Sequence, residues 1–148
     1  CWAAQAGLYE HYGINKYALA DKMFGIFDQR VLCPDSFLMR GLTPSFKMPN
    51  SRHTAVSQID VEQAHDKGLQ LIAASNESGV GVMATLDGRR TFIVGHLEYA
   101  ADTLDKEYKR DLSKNLPIKA PLHYYNKEGQ IAFSWQSDAA KFYRNWLE

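Results

Sequence analysis

The alternation of hydrophobic and polar positions predicts both helices and strands in the first third of the chain. Residues 2–12 are rich in Ala, Gln, Leu and Tyr, which helices tolerate, and Gly13 is typical of a residue that ends a helix. Apolar residues alternate between 24 and 31 as in a strand, and 37–42 predicts a short helical turn. The polar, Pro-containing stretch 48–54 predicts a surface loop of the kind that carries binding residues.

The middle of the chain predicts a meander of strands, which follows a short helical turn within 59–67. Three stretches have the apolar, partly alternating composition of strands: 69–74, 80–85 and 91–94. The pair Asp87-Gly88 predicts a hairpin turn between the last two. The final strand delivers Gly95-His96-Leu97-Glu98 at its carboxyl end, and ligand sites of open α/β sheets form at that edge.

The C-terminal third predicts two amphipathic helices. Within 102–115 the apolar residues Leu104, Tyr108 and Leu112 recur at every fourth position, as on one face of a helix. Residues 117–129 predict an irregular connection. A last helix over 138–147, capped by Ser137, would bury its apolar face: Ala139, Phe142, Tyr143 and Trp146. The chain contains no repeat, low-complexity tract or linker, so we expect residues 1–148 to form a single domain.

The charge balance argues against two classes of partner. The 148 residues include 17 Lys and Arg and 17 Asp and Glu, and no basic face or acidic tail is evident. We therefore expect no nucleic-acid partner and no membrane association. No apolar run approaches the roughly 20 residues of a membrane span. Only two cysteines occur, without metal-binding spacing, so we expect no metal and a reducing, cytoplasmic location.

Candidate chemistry lies at both ends of the predicted sheet region. Cys1 stands at the head of the first helix, where the helix dipole favours the nucleophilic thiolate. His96 is followed two residues later by Glu98, so one could act as a base and the other could orient it. The sequence therefore predicts a Cys1–His96–Glu98 triad. Cys33, which precedes a Pro-containing turn, is expected to be structural.

The order of these parts matches a nucleophile elbow, in which a strand, a sharp turn and a helix present the nucleophile. Such an elbow needs a strand before the cysteine, and this sequence begins at Cys1 rather than at Met. We therefore expect the chain to be the C-terminal part of a longer protein. Processing that exposes Cys1 is the other explanation.

Several segments resemble the homoserine O-acyltransferases, which include homoserine O-succinyltransferase and its acetyl-transferring relatives. The matching segments follow the family's order along almost the whole chain: 1–9, 22–25, 51–54, 95–99, 103–111 and 145–147. The resemblance implies an α/β, flavodoxin-like fold related to class I glutamine amidotransferases, here lacking the strands before the nucleophile helix. It also implies a homodimer.

The resemblance also implies roles for single residues. Cys1 would be the nucleophile, His96 the general base and Glu98 its partner. Three residues would bind substrate: Lys22, Ser51 and Arg110. Without the resemblance, Arg110 would be assigned to the solvated face of its helix. Three residues that follow Cys1 or Ser51 in the sequence are further candidates for the pocket: Trp2, Arg52 and His53.

The implied reaction moves an acyl group from acetyl-CoA or succinyl-CoA to the hydroxyl of homoserine or serine, without a bound cofactor. It would serve methionine or cysteine biosynthesis. Leu97 replaces the Pro that the family usually has between His and Glu, and the segment before Trp135 is shortened, so the sequence leaves the acceptor open. The donor stays open as well, because the resemblance implies that a residue upstream of the nucleophile helps to choose acetyl or succinyl.

Three other functions remain open from the sequence. A glutamine amidotransferase would use the same triad, although that class favours Gly on both sides of its Cys. An N-terminal-nucleophile hydrolase would explain Cys1 as the first residue, but it needs a strand where 2–12 predicts a helix. A non-catalytic fragment of an acyltransferase is the third.

Overall fold

The computed structural model describes all of residues 1–148 and contains four α-helices and five strands. The helices are α1 (Trp2–Tyr12), α2 (Gln58–Gln63), α3 (Thr103–Ser113) and α4 (Gln136–Leu147). The strands are β1 (Lys16–Val31), β2 (Ser45–Val56), β3 (Leu69–Ser75), β4 (Gly79–Thr85) and β5 (Thr91–Ile93). Short 3₁₀ turns cover Phe37–Met39 and Ala64–Lys67. No helix combines the length and the apolar character needed to cross a membrane.

The five strands form one antiparallel sheet in the order β2-β1-β3-β4-β5. We expected a ligand site at the edge of the sheet where parallel strands all have their carboxyl ends. In this antiparallel sheet neighbouring strands run in opposite directions, so it has no such edge. The predicted loop over 48–54 is wrong, because these residues belong to β2. A Pro is compatible with this strand because β2 lies at the edge of the sheet, where a missing N–H interrupts no ladder.

Helices cover both faces of the sheet. Along β5, the side chain of Phe92 packs with α1 residues Ala4 and Leu8, whereas Ile93 packs in the opposite direction, as alternation along a strand requires. The hydrophobic cluster on the Ile93 side of β5 contains Leu104 of α3, residues of α4 and the fully buried Trp135. The core therefore lies in two layers, with β5 between α1 on one side and α3 and α4 on the other.

The ends of three helices show how far local signals hold. Gly13 ends α1 with φ 67°, as predicted, since glycine adopts this left-handed conformation at no steric cost. Asp102 is the N-cap of α3 but makes no side-chain cap. The prediction that Ser137 caps the last helix is wrong: α4 begins at Gln136 with Trp135 as its N-cap. The Trp135 indole is fully buried.

Candidate active site

Cys1 lies beside the carboxyl end of β5. It is the N-cap residue of α1, its thiol forms no disulfide, and its backbone nitrogen donates a hydrogen bond to the Ile93 carbonyl at 3.2 Å. The positive end of the α1 dipole favours a thiolate at this position. The bond to Ile93 brings the predicted nucleophile close to the strand that leads to His96.

His96 and Glu98 form the hydrogen-bonded pair that their spacing predicts. The imidazole Nδ1 lies 2.7 Å from Glu98 Oε1, and the backbone N–H of His96 donates to the Pro49 carbonyl at 2.8 Å. Gly95 makes this close approach of backbones possible, because a Cβ at that position would lie 2.7 Å from the same carbonyl oxygen and from Met48 Cγ. These contacts fix the backbone of His96 and orient its imidazole ring.

Electrostatics keep Glu98 ionised. Burial alone would raise the pKa of its carboxyl, but the hydrogen bond with His96 holds that pKa below its ordinary value. Tyr143 of α4 donates to Glu98 Oε2 at 3.4 Å, and burial together with this carboxylate raises the pKa of Tyr143 to about 12. Tyr143 also lines a cavity of about 540 Å³ together with Cys1. It thereby connects the nucleophile's surroundings to the His96–Glu98 pair.

Lys22 and Ser51 converge on a carboxylate that the sequence did not single out. Ser51 Oγ donates to Glu107 Oε2 at 2.6 Å, and the Lys22 ammonium lies 3.6 Å from the same oxygen. Lys22 also lies 3.5 Å from Asp111 Oδ2, with its aliphatic stem and ammonium largely shielded from solvent. An irregularity in the β1–β2 register between Ala18 and Met23 allows Lys22 to reach α3.

Arg110 joins this cluster through Asp111. Its Nε and Nη2 both lie 2.8 Å from Asp111 Oδ1, and about half of its side chain remains exposed. Tyr99 lies between the cluster and the His96–Glu98 pair: its hydroxyl donates to Glu107 at 3.1 Å, and its ring stacks on His96. The three predicted substrate-binding residues are thus brought together around Glu107 and Asp111, and Glu107 is linked to His96 through Tyr99.

The three further pocket candidates do not share this location. Arg52 alternates with Ser51 along β2, so its buried guanidinium extends in the opposite direction and binds Asn50, Thr54 and Ser78. His53 is exposed. Trp2 is 72% exposed on the outer surface of α1. Only Ser51 of the polar stretch 48–54 enters the cluster.

Cys33 has the surroundings of a structural cysteine. Its Sγ donates to the Leu71 carbonyl at 3.2 Å, and burial raises the pKa of its thiol. A raised pKa disfavours the thiolate on which nucleophilic reactivity depends. Cys1, in contrast, lies at the N-terminus of α1, beside the end of the strand that precedes His96.

Glu107, Asp111 and Tyr143 are the residues that sequence reasoning missed. A usable signal existed for two of them: Glu107 and Asp111 are four residues apart on one helix, so both carboxylates lie on the same face beside Arg110. Tyr143 was expected only as a core residue. Its contact with Glu98 joins residues 45 positions apart and has no local signature.

Comparison with known proteins places this chain in a family. The sequence model described as homoserine O-succinyltransferase matches residues 1–148. Homoserine O-acetyltransferases of Lachnoclostridium phytofermentans and Petrotoga mobilis are 46% and 43% identical over 99% of this chain. The chain spans about half of those relatives, 49% and 48% of their lengths.

A solved structure shows the fold. A glutamine amidotransferase from Thermotoga maritima superposes with a TM-score of 0.66 at 14% identity, covering 97% of this chain and 57% of that one. The α/β fold is therefore of the class I glutamine amidotransferase type, as the resemblance implied. The full-length match of the family model, together with relatives at 43–46% identity, shows that the chain belongs to the homoserine O-succinyltransferase family.

Proposed function

We propose that the protein transfers an acyl group from acyl-CoA to the side-chain hydroxyl of homoserine through an acyl-enzyme on Cys1. The observation that carries the proposal is the hydrogen-bonded His96–Glu98 pair, which follows the strand whose end holds Cys1. Membership of the family and relatives named homoserine O-acetyltransferase support acyl transfer as the reaction class.

In the first half-reaction the Cys1 thiolate attacks the thioester carbonyl carbon of the donor. A bond forms between that carbon and Cys1 Sγ, the bond to the coenzyme A sulfur breaks, and the departing sulfur takes a proton from the His96 imidazolium. Thioester exchanges for thioester, so the acyl-enzyme forms at little energetic cost. The Trp2 backbone N–H lies in the first turn of α1, where amides lack intrahelical partners, and would stabilise the developing oxyanion.

In the second half-reaction His96 accepts the proton of the acceptor hydroxyl. The oxygen attacks the acyl carbon, the bond to Cys1 Sγ breaks, and the thiolate is regenerated with release of the O-acyl ester. Glu98 holds the imidazole in the required tautomer and stabilises its cation. A proton transfer of this kind typically contributes about 10²–10⁴ in rate.

The Lys22–Glu107 cluster suits an amino-acid acceptor. The planar guanidinium of Arg110 can pair with a carboxylate through two hydrogen bonds, and about half of it faces solvent. Glu107 offers a carboxylate for the acceptor's ammonium, next to the Ser51 hydroxyl. Lys22 would then hold Glu107 and Asp111 in place and meet the acyl or amino-acid part of the substrate.

The remaining assignments follow from the family. The relatives' name, homoserine O-acetyltransferase, favours acetyl-CoA as donor, and the family's name makes succinyl-CoA the other candidate. Homoserine is the proposed acceptor, in methionine biosynthesis, and serine would place the reaction in cysteine biosynthesis. We further propose a homodimer that acts in the cytoplasm without a bound cofactor.

The experiment is an intact-mass measurement of the intact protein with acetyl-CoA and, separately, succinyl-CoA, without acceptor. A mass gain that peptide mapping assigns to Cys1 identifies both the acyl-enzyme and the donor. Homoserine or serine, added afterwards, should discharge the adduct. If neither donor leaves an adduct while a glutamine-like electrophile does, the reaction is that of an amidotransferase.

Two variants of matched chemistry control this experiment. Cys1→Ser should abolish the adduct, whereas Cys33→Ser removes the other thiol and should acylate at the normal rate. His96→Ala should abolish transfer to the acceptor. Full activity of Cys1→Ala would refute the proposed mechanism.

A further inference from the structure

We propose that Tyr99 is a positioning residue that couples the acceptor-binding cluster to the catalytic histidine. The proposal rests on the proposed function for its kinetic consequences. Its structural basis is independent of that function, because every contact involved lies within the chain itself.

The first contact is a face-to-face stack. The rings of Tyr99 and His96 have centroids 4.3 Å apart and planes inclined by only 8°. Glu98 holds one edge of the imidazole, and Tyr99 covers one of its faces, so together they leave the ring little freedom to rotate. When His96 takes the acceptor's proton, the resulting imidazolium faces an aromatic ring at the short range where a cation and a π-system attract.

The second contact reaches the substrate cluster. The Tyr99 hydroxyl donates to Glu107 Oε1 at 3.1 Å, while Ser51 and Lys22 occupy the other oxygen of the same carboxylate. Burial and the Glu107 charge both raise the pKa of Tyr99, so the hydroxyl remains a neutral donor throughout the physiological range. A movement of the Glu107 carboxylate is therefore transmitted to the ring that supports His96.

The backbone of Tyr99 is held from two further sides. Its N–H donates to the His96 carbonyl at 3.2 Å in the turn after β5, and its carbonyl accepts from the indole of the buried Trp135 at 3.0 Å. The fixed backbone, the stack on His96 and the hydrogen bond to Glu107 together hold the side chain in place. It links two groups that the proposed reaction uses in the same step: His96, the base, and Glu107, the carboxylate that would bind the acceptor's ammonium.

The two contacts are separable by substitution. Tyr99→Phe keeps the stack and removes only the hydrogen bond to Glu107. We expect the acceptor KM to rise roughly tenfold, the effect of one hydrogen bond to a charged group, with kcat changed less than about threefold. Acylation of Cys1 without acceptor should proceed at the wild-type rate.

Tyr99→Leu removes the stack as well. We expect kcat to fall at least about tenfold beyond the Phe variant, because the base loses its orientation. The aromatic resonances of His96 should also lose the upfield ring-current shift that Tyr99→Phe retains. This shift is measured without substrate and so tests the stack directly.

Tyr125→Phe is the matched control, since Tyr125 also donates to a carboxylate of α3, Asp105, at 2.6 Å. It should leave the acceptor KM, kcat and the His96 resonances unchanged. A double-mutant cycle between Tyr99→Phe and Glu107→Gln should be non-additive in acceptor KM.

The outcomes separate this inference from the proposed function. An active wild-type protein whose Tyr99→Phe and Tyr125→Phe variants have equal acceptor KM values overturns the coupling. Unchanged His96 resonances in Tyr99→Leu overturn the stack, whatever the activity. A wild-type protein that is never acylated refutes the proposed function, and the resonance measurement then still decides the structural part.

Discussion

Replacing Arg52 by Met is expected to lower the free energy of unfolding, because the guanidinium is the hub of a buried polar network. Arg52 is 4% exposed and donates to Asn50 Oδ1 at 3.1 Å, to the Thr54 carbonyl at 2.8 Å and to the Ser78 carbonyl. Gln5 of α1 donates to the same Thr54 carbonyl. The network therefore ties the helix that begins at Cys1 to strand β2.

The magnitude follows from the acceptors that the variant leaves unpaired. Thr54 retains its bond from Gln5, but the oxygens of Asn50 and Ser78 lose their donor, at about 1–3 kcal/mol each. Burial lowers the pKa of Arg52 because removal from water disfavours the charged guanidinium. Met carries no charge, so the variant avoids this desolvation cost. We therefore expect a net loss of about 2–4 kcal/mol, below the sum of the gross bond energies.

The assay is urea unfolding of the intact protein, with Arg40→Met as the matched control. The Arg40 guanidinium is 69% exposed and meets Glu148 at 3.6 Å, so its loss should change stability by less than about 0.5 kcal/mol. Arg52→Lys keeps the charge but not the planar fork of donors and should fall between the two. Equal midpoints for the two Met variants would refute the reasoning, because the desolvation cost would then cancel the hydrogen bonds.

Two further predictions concern His96, Glu98 and the glycine that precedes them. Gly95→Ala should destabilise the protein by about 1–3 kcal/mol through overpacking against Met48 and a backbone carbonyl, and acyl transfer should fall with it; wild-type values in thermal unfolding and in activity would contradict the close approach. The lowered pKa of Glu98 means that its stabilising pairing with His96 is complete above the ordinary glutamate pKa of about 4.3 and is lost as pH falls through the lower folded value. Unfolding free energies of wild type and Glu98→Gln should therefore differ near neutral pH and converge in acid, and a constant difference across this range would exclude the pairing.

Local sequence signals predicted the elements whose boundaries depend on their own residues. The helix over 2–12 with its Gly13 stop, the strands of the meander and the amphipathic helix α3 follow from periodicity and end signals alone. The spacing of His96 and Glu98 also predicted their contact, because two residues in one turn can bring the imidazole Nδ1 and the carboxylate Oε1 to 2.7 Å.

The errors occurred where a distant partner overrides local preference. The polar stretch 48–54 has the composition of a loop, yet it pairs with β1 along the sheet edge, and its backbone hydrogen bonds come from residues that precede it by about 25 positions. Likewise, α4 begins where the buried Trp135 meets Tyr99, not at the Ser that would cap it.

The sequence by itself determined most of the elements that carry the predicted reacting groups and, through resemblance, the family. Only the tertiary structure decided that Glu107 gathers Lys22, Ser51 and Tyr99, because these contacts join three different elements. A charged side chain on a helix has the same local pattern whether it faces solvent or a site. The position of α3 beside Lys22 of β1 and Ser51 of β2 makes that choice, and it depends on the whole fold.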